Sequence, residues 1–148
     1  MVETKKYAVA IGGSNIDILV APENEIVYQD SNNSKISISP GGVVRNIAEN
    51  LSLLSNKCHL ISVFGKDEFG NFIKSKTISS GVSLKHCLTV RSDNTSSYLS
   101  VNDLKGDMNI AFNDTKILKN LSPNFLSTKY SLINNSSAII IDANLQDE

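Results

Sequence analysis

The stretch that decides the fold is SPGGVVRNIAENL, residues 39–51. Pro40, Gly41 and Gly42 stand together, and a helical pattern starts at once with Asn46 in its first turn. Two adjacent glycines are costly to order, because glycine loses the most backbone freedom on folding. Something there requires bare backbone, either a tight turn or a ligand that comes close. The segment VRNIAENLSLLSN then carries Ile47, Leu51 and Leu54 at helical spacing, which predicts these three as the apolar face of a helix.

Upstream, KYAVAIGG is a mostly apolar run stopped by two glycines, as expected of a strand covered on both faces. EIVYQD and SKISIS alternate around the turn-rich SNN and predict an exposed antiparallel ribbon over about 25–38. Downstream, KCHLISVFG reads as a second buried strand. DEFGNFIKSKTISSG reads as a helix with Asp67 near its start and Gly81 as its stop. LKHCLTVRS is a further strand, and alternating runs flanking NDLKGD predict a hairpin over about 95–113. SPNFLSTKYSLINNS has a Ser-Pro start and apolar positions Phe125, Leu126 and Leu132, which suits one helix. SAIIIDANL is a buried strand ending in Asp142 and Asn144.

Strands alternating with helices predict an α/β fold, a largely parallel sheet with helices on both faces. The two ribbons do not fit that sheet and are expected to form a small antiparallel β lid. The 148 residues stop just after a buried strand with no helix to cover it. That reads as the N-terminal part of a larger fold, residues 1–148, with the C-terminal half missing.

Composition narrows the function classes. Fourteen basic and fifteen acidic residues give a net charge of −1, so neither nucleic acid nor an anionic membrane is expected as a partner. No apolar run approaches the roughly 20 residues of a membrane span. Two cysteines, Cys58 and Cys87, without a secretory signal suggest a cytoplasmic protein with free thiols. The pairs Cys58-His59 and His86-Cys87 are adjacent in strand-like sequence, where neighbouring side chains diverge, so no metal site is expected.

Three polar clusters end strands or open helices: Asn15 with Asp17, Gly41-Gly42 with Asn46, and Asp142 with Asn144. Each alone is what turns and helix caps use. Together they suit a ligand site, because open α/β sheets bind ligands outside the carboxyl ends of their strands. Asn and Asp offer donors and acceptors but no positive charge, which suits sugar hydroxyls better than phosphate. Gly65-Lys66 is followed by Asp67 where a P-loop needs Ser or Thr, and IGGSNID lacks the dinucleotide spacing.

GGSNIDI, GGVVRNIAENLSLLS and VFGKDEFG followed by SSGVS together resemble the N-terminal half of the ribokinase-like (PfkB) carbohydrate kinases, over nearly the whole chain. The middle stretch is similar to that family's first signature, which closes here on Gly65, Asp67 and Gly70. GGVVRNIAENL, GDMNIAFND and DANL further resemble the branch that phosphorylates the 5′-hydroxyl of pseudouridine. The resemblance implies an ATP- and Mg²⁺-dependent kinase acting on a sugar or nucleoside. It implies substrate contacts at Asn15, Asp17, Gly41, Gly42, Asn46 and Asn144, with the sugar lying against the bare glycines. It also implies lid contacts at Tyr98, Ile110 and Phe112, and possible homodimers formed through the lid.

The family's second signature, Asp-Thr-x-Gly-Ala-Gly-Asp, supplies the catalytic base and an anion hole, and it is not among these residues. No catalytic residue is therefore expected in the chain, ATP and Mg²⁺ would be bound mainly by the C-terminal half, and the 148 residues alone are expected to be inactive. Two alternatives remain at this stage: a non-catalytic sugar- or nucleoside-binding or dimerising module, and a generic kinase for ribose or fructose.

Overall fold

The computed structural model describes residues 7–145. A parallel three-stranded sheet lies at the centre, in the order β4 (Lys57–Ile61), β1 (Tyr7–Ile11), β9 (Ala138–Ile141). Alternation along β1 sends Val9 and Ile11 to one side and Ala8 and Ala10 to the other. On the alanine side, helix α1 (Val43–Leu53) packs through Val44 and Ala48 against Ala10, Cys58 and Leu60. On the other side, Val9, Ile11, Ile61 and Val63 meet Ile117, Leu118 and Leu121 from a 3₁₀ turn (Lys116–Asn120) and its exit. Over β1 and β4 both faces are covered, as alternating strands and helices require. Among the described residues no helix is long and apolar enough to cross a membrane.

A second sheet has the order β3 (Ser34–Gly41), β2 (Asn15–Pro22), β7 (Ser96–Asn102), β8 (Met108–Asp114). β2 and β7 run parallel, while β3 and β8 pair antiparallel on the two outer sides. The first ribbon therefore departs from the expected 25–38. Its outgoing strand is Asn15–Pro22, directly after the glycines of strand one, and residues 23–33 form the turn-rich connection. Among the described residues the pattern in EIVYQD has no partner strand, whereas NIDILVAP pairs along its whole length with SKISISPG.

Helix α2 (Glu68–Ser79) follows β5 (Val63–Gly65), which pairs with β6 (Leu88–Val90). Three further expectations are corrected. The buried face of α1 is Val44, Ala48 and partly Leu51, whereas Ile47 and Leu54 are exposed. Both sets satisfy the helical period, and the small residues are the ones that let α1 sit close to the sheet. The strand over 84–92 shrinks to Leu88–Val90, leaving His86 and Cys87 in a turn. The helix after Ser122 is two short ones, α3 (Pro123–Ser127) and α4 (Tyr130–Asn134), joined at Thr128-Lys129. Strand β9 corrects a fourth expectation: instead of being buried it lies at the sheet's edge, and Ile139 and Ile141 are 48% and 64% exposed.

Candidate functional site

The two sheets meet at Gly12-Gly13-Ser14, where the chain leaves β1 and enters β2. A cavity of about 510 Å³ opens there. Asn15, Asp17, Gly42, Asn46 and Asn144 line it, so residues from all three polar clusters reach one place. Tyr98, Ser96, Ser97 and Asn113 close it from the second sheet.

Strand register explains this convergence. Asn15 is opposite Gly41 on β3 and Ser96 on β7; Asp17 is opposite Ser39 and Tyr98, and Tyr98 is opposite Asn113. Residues paired in this way share a face of the sheet. The cavity face thus carries one row of Gly41, Asn15 and Ser96 and a second row of Ser39, Asp17, Tyr98 and Asn113. Ile110 pairs with Val101 and Phe112 with Leu99, so both belong to the opposite face, and neither lines the cavity.

The polar groups are oriented by one another. Asn15 Nδ2 donates to Asp17 Oδ1, leaving the Asn15 carbonyl and the second Asp17 oxygen as acceptors. Asp17 has its pKa raised above the usual carboxylate value by burial, against the opposing pull of the Asn15 bond and the Arg45 charge. Asn46 is set from behind. Arg45, 2% exposed, donates from Nη1 to Asn46 Oδ1 at 2.8 Å, from Nε to Thr77 Oγ1 at 3.0 Å and from Nη2 to Glu49 Oε1 at 2.9 Å. With its carbonyl occupied, Asn46 is left to offer its amide N–H groups. Asp142 Oδ2 accepts from the Gly13 N–H at 3.1 Å, and its Oδ1 accepts from Asn144 Nδ2 at 2.9 Å.

The glycines serve these approaches. A Cβ on Gly41 would overlap the Asp17 carboxylate. Gly42 has φ +102° and a Cβ there would stand 2.5 Å from the Gly13 carbonyl oxygen. Bare backbone at 41–42 thus admits the protein's own Asp17 and Gly13. Gly41 does not line the cavity, in contrast to the direct sugar contact expected of it; Gly42 does.

Among the described residues, those lining the cavity include carboxylates and carboxamides but neither lysine nor arginine. This set can hold hydroxyl groups in both directions, accepting at Asp17 and Asn15 and donating at Asn46. A profile of the pfkB family carbohydrate kinases matches residues 5–148. The chain belongs to the pfkB carbohydrate kinase family.

A pseudouridine kinase of Escherichia coli (strain K12) is 42% identical over 144 residues, 97% of this chain and 46% of the relative. A carbohydrate kinase from Agrobacterium tumefaciens superposes with a TM-score of 0.85 at 28% identity, over 95% of this chain and 46% of that one. A ribokinase from Cryptococcus neoformans, solved in complex with ADP, shares the fold with a TM-score of 0.62 at 18% identity, over 74% of this chain and 34% of that one. The chain spans less than half the length of these relatives.

Within this pfkB chain, Gly65, Asp67 and Gly70 build a latch beside the cavity. Asp67 caps α2 by accepting from the Gly70 N–H at 2.7 Å, and it also accepts from the Thr95 N–H and hydroxyl, both at 2.7 Å. Burial acts to raise its pKa, but the bonds from Thr95 and Gly70 outweigh it and hold the carboxyl below the usual range. The latch fixes Thr95, the residue before Ser96, and so places the start of β7.

Several lining residues went unmarked by sequence reasoning: Gly13, Ser96, Ser97, Asn113 and Thr115. Ser, Thr and Asn are unremarkable in an alternating hairpin, and alternation alone does not say which of them meet a cavity. Arg45 was missed because a charge early in a helix normally faces solvent. Elsewhere, the His59 and His86 rings meet edge to face at 5.5 Å. Among the described residues no group of three or more His, Cys, Asp or Glu is placed to hold a metal ion.

Proposed function

We propose that this chain supplies the substrate-binding part of a kinase that phosphorylates a sugar or nucleoside hydroxyl, with the 5′-hydroxyl of pseudouridine as the leading substrate. The single observation that carries this reading is the convergence of Asn15, Asp17, Asn46 and Asn144 on one uncharged-to-acidic cavity. Asp17 and the Asn15 carbonyl accept from a sugar diol, and the Asn46 amide donates to it. Pseudouridine comes forward through the 42% identical relative.

ATP with Mg²⁺ is the proposed phosphoryl donor. The start of α1 lies in the cavity wall, but Asp17 and Asp142 line it and no lysine or arginine among the described residues does, a charge balance that disfavours a triphosphate. No step through ATP is assigned to these residues. They bind and orient the acceptor hydroxyls, and the second sheet with Tyr98 shields them from water as a lid. Phosphoryl transfer depends on positioning and on neutralising charge at the phosphate. The 148 residues contain no Asp-Thr-x-Gly-Ala-Gly-Asp, so the chain alone is proposed to bind substrate without turning it over.

The lid's other face carries Ile36, Ile38, Ile110 and Phe112, all about half exposed or more, and we assign it to a homodimer contact. A cytoplasmic setting fits two free thiols that burial holds protonated at neutral pH, with pKa raised to about 11 for Cys58 and about 12 for Cys87.

The test is a binding and turnover panel on the chain: pseudouridine, uridine, adenosine, ribose and fructose, each by calorimetry and, with ATP and Mg²⁺, by mass spectrometry of product. Tightest binding of pseudouridine without product is the expected result. Product formation sinks the binding-only assignment. Preferential binding of ribose or fructose replaces the nucleoside reading with a general sugar kinase, and no binding at all removes the site.

A further inference from the structure

The cavity holds one polar group that nothing among the described residues answers. Ser96 is 2% exposed, and its Oγ has no hydrogen-bond partner among the described residues. A buried hydroxyl left unpaired costs on the order of 1–3 kcal/mol, so such atoms generally meet a ligand or an ordered water when the site is in use. Ser96 lines the cavity, and the register of β2 with β7 puts it directly beside Asn15, on the face that also carries Asp17 and Tyr98. Its backbone is held firmly, because the preceding Thr95 is clamped by Asp67 through two bonds of 2.7 Å.

From this we infer that the Ser96 hydroxyl is a direct substrate contact that takes a ring hydroxyl of the sugar, an inference resting on the sugar or nucleoside reading of the site. The row position decides between sugar and base. Ser96 shares the inner row with Asn15, at the Gly13 end of the cavity, whereas Tyr98 and Asn113 occupy the next row out. Asp17 and Asn15 engage each other and act mainly as acceptors, and Asn46 acts as a donor. A serine hydroxyl both donates and accepts. It therefore completes the bonding of a second hydroxyl on a vicinal diol, the part of the ligand that needs both.

The variant Ser96→Ala separates this role from a structural one. Without ligand it melts at the wild-type temperature or higher, because the deletion removes an unanswered polar group. Its affinity for uridine and pseudouridine falls by roughly 3- to 10-fold, the worth of one hydrogen bond. Against 2′-deoxyuridine and 3′-deoxyuridine, the analogue lacking the contacted hydroxyl binds wild type and variant equally. A melting temperature lowered by several degrees without ligand overturns the inference, since the hydroxyl would then have a partner inside the protein. Undiminished affinity for both ribonucleosides overturns it while leaving the site itself intact. A loss of the same size on both deoxy analogues overturns it in favour of a base contact. A wild-type chain that binds none of the four nucleosides overturns the reading of the site and this contact with it.

Discussion

Asp17 and Asp67 both press a carboxylate against a glycine backbone, Gly41 in one case and Gly65 in the other. Asp67 spreads three bonds over Gly70 and Thr95, and its pKa lies below the ordinary value. Asp17 receives one bond, from Asn15, and burial leaves its pKa above the ordinary value. The same residue type next to the same bare backbone thus makes a finished latch in one place and an unfinished acceptor in the other. The difference lies in the neighbours: Asp67 faces the start of a helix and a strand, where free N–H groups abound, and Asp17 faces a cavity.

The contrast breaks most visibly at the latch. Asp67→Ala is expected to cost about 2–4 kcal/mol, a lost helix cap plus at least one charge-assisted bond, by urea unfolding. Its pKa is depressed, so its contribution is present above the unfolded value of 3.8 and is lost as pH falls through the folded value. A loss below about 1 kcal/mol would reduce Asp67 to an ordinary cap.

Gly41→Ala comes next. The added methyl displaces the Asp17 carboxylate at a cost of about 1–3 kcal/mol to the fold, and nucleoside affinity measured by calorimetry should collapse. Wild-type affinity in this variant would show that Asp17 is not held where ligand binds.

Asp17→Asn sharpens the comparison in the opposite direction. A raised folded pKa means that this group stabilises the native state only while protonated, and the contribution is lost as pH rises through the folded pKa. Thermal melts at neutral pH should therefore find the variant as stable as wild type or more so. Nucleoside affinity should drop by about 10-fold or more, the worth of a charged acceptor. Wild-type affinity should weaken as pH falls through the raised pKa, and the variant should lack that dependence.

The smallest effect on the fold belongs to Phe112→Ser on the opposite lid face, under about 0.5 kcal/mol for an exposed residue. Its reading is in sedimentation: a wild-type dimer should become a monomer with ligand affinity unchanged, and a wild-type monomer removes the dimer assignment.

Alternation of strands and helices, the turn at NDLKGD and the cap at Asp67 are all local, and the amino-acid order determined them. The period of an apolar pattern, the donors near a helix start and the φ freedom of glycine act within a few residues. The family motif, and with it the membership shown by the match over 5–148, was legible for the same reason. What only the tertiary structure decided is which equivalent choice is used. Ile47 and Val44 are both helically spaced, but the narrow gap above Ala10 admits Val44 and Ala48. EIVYQD and NIDILVAP both carry strand-like runs, but only the second meets SKISISPG in register. Whether Tyr98 or Phe112 faces the cavity depends on the register of β7 with β8, that Ser96 is buried beside Asn15 depends on β2 meeting β7 far along the chain, and that Arg45 stands behind Asn46 depends on its bond to Thr77 in α2. Long-range register is set by packing free energy summed over the whole sheet, and no local pattern carries that sum.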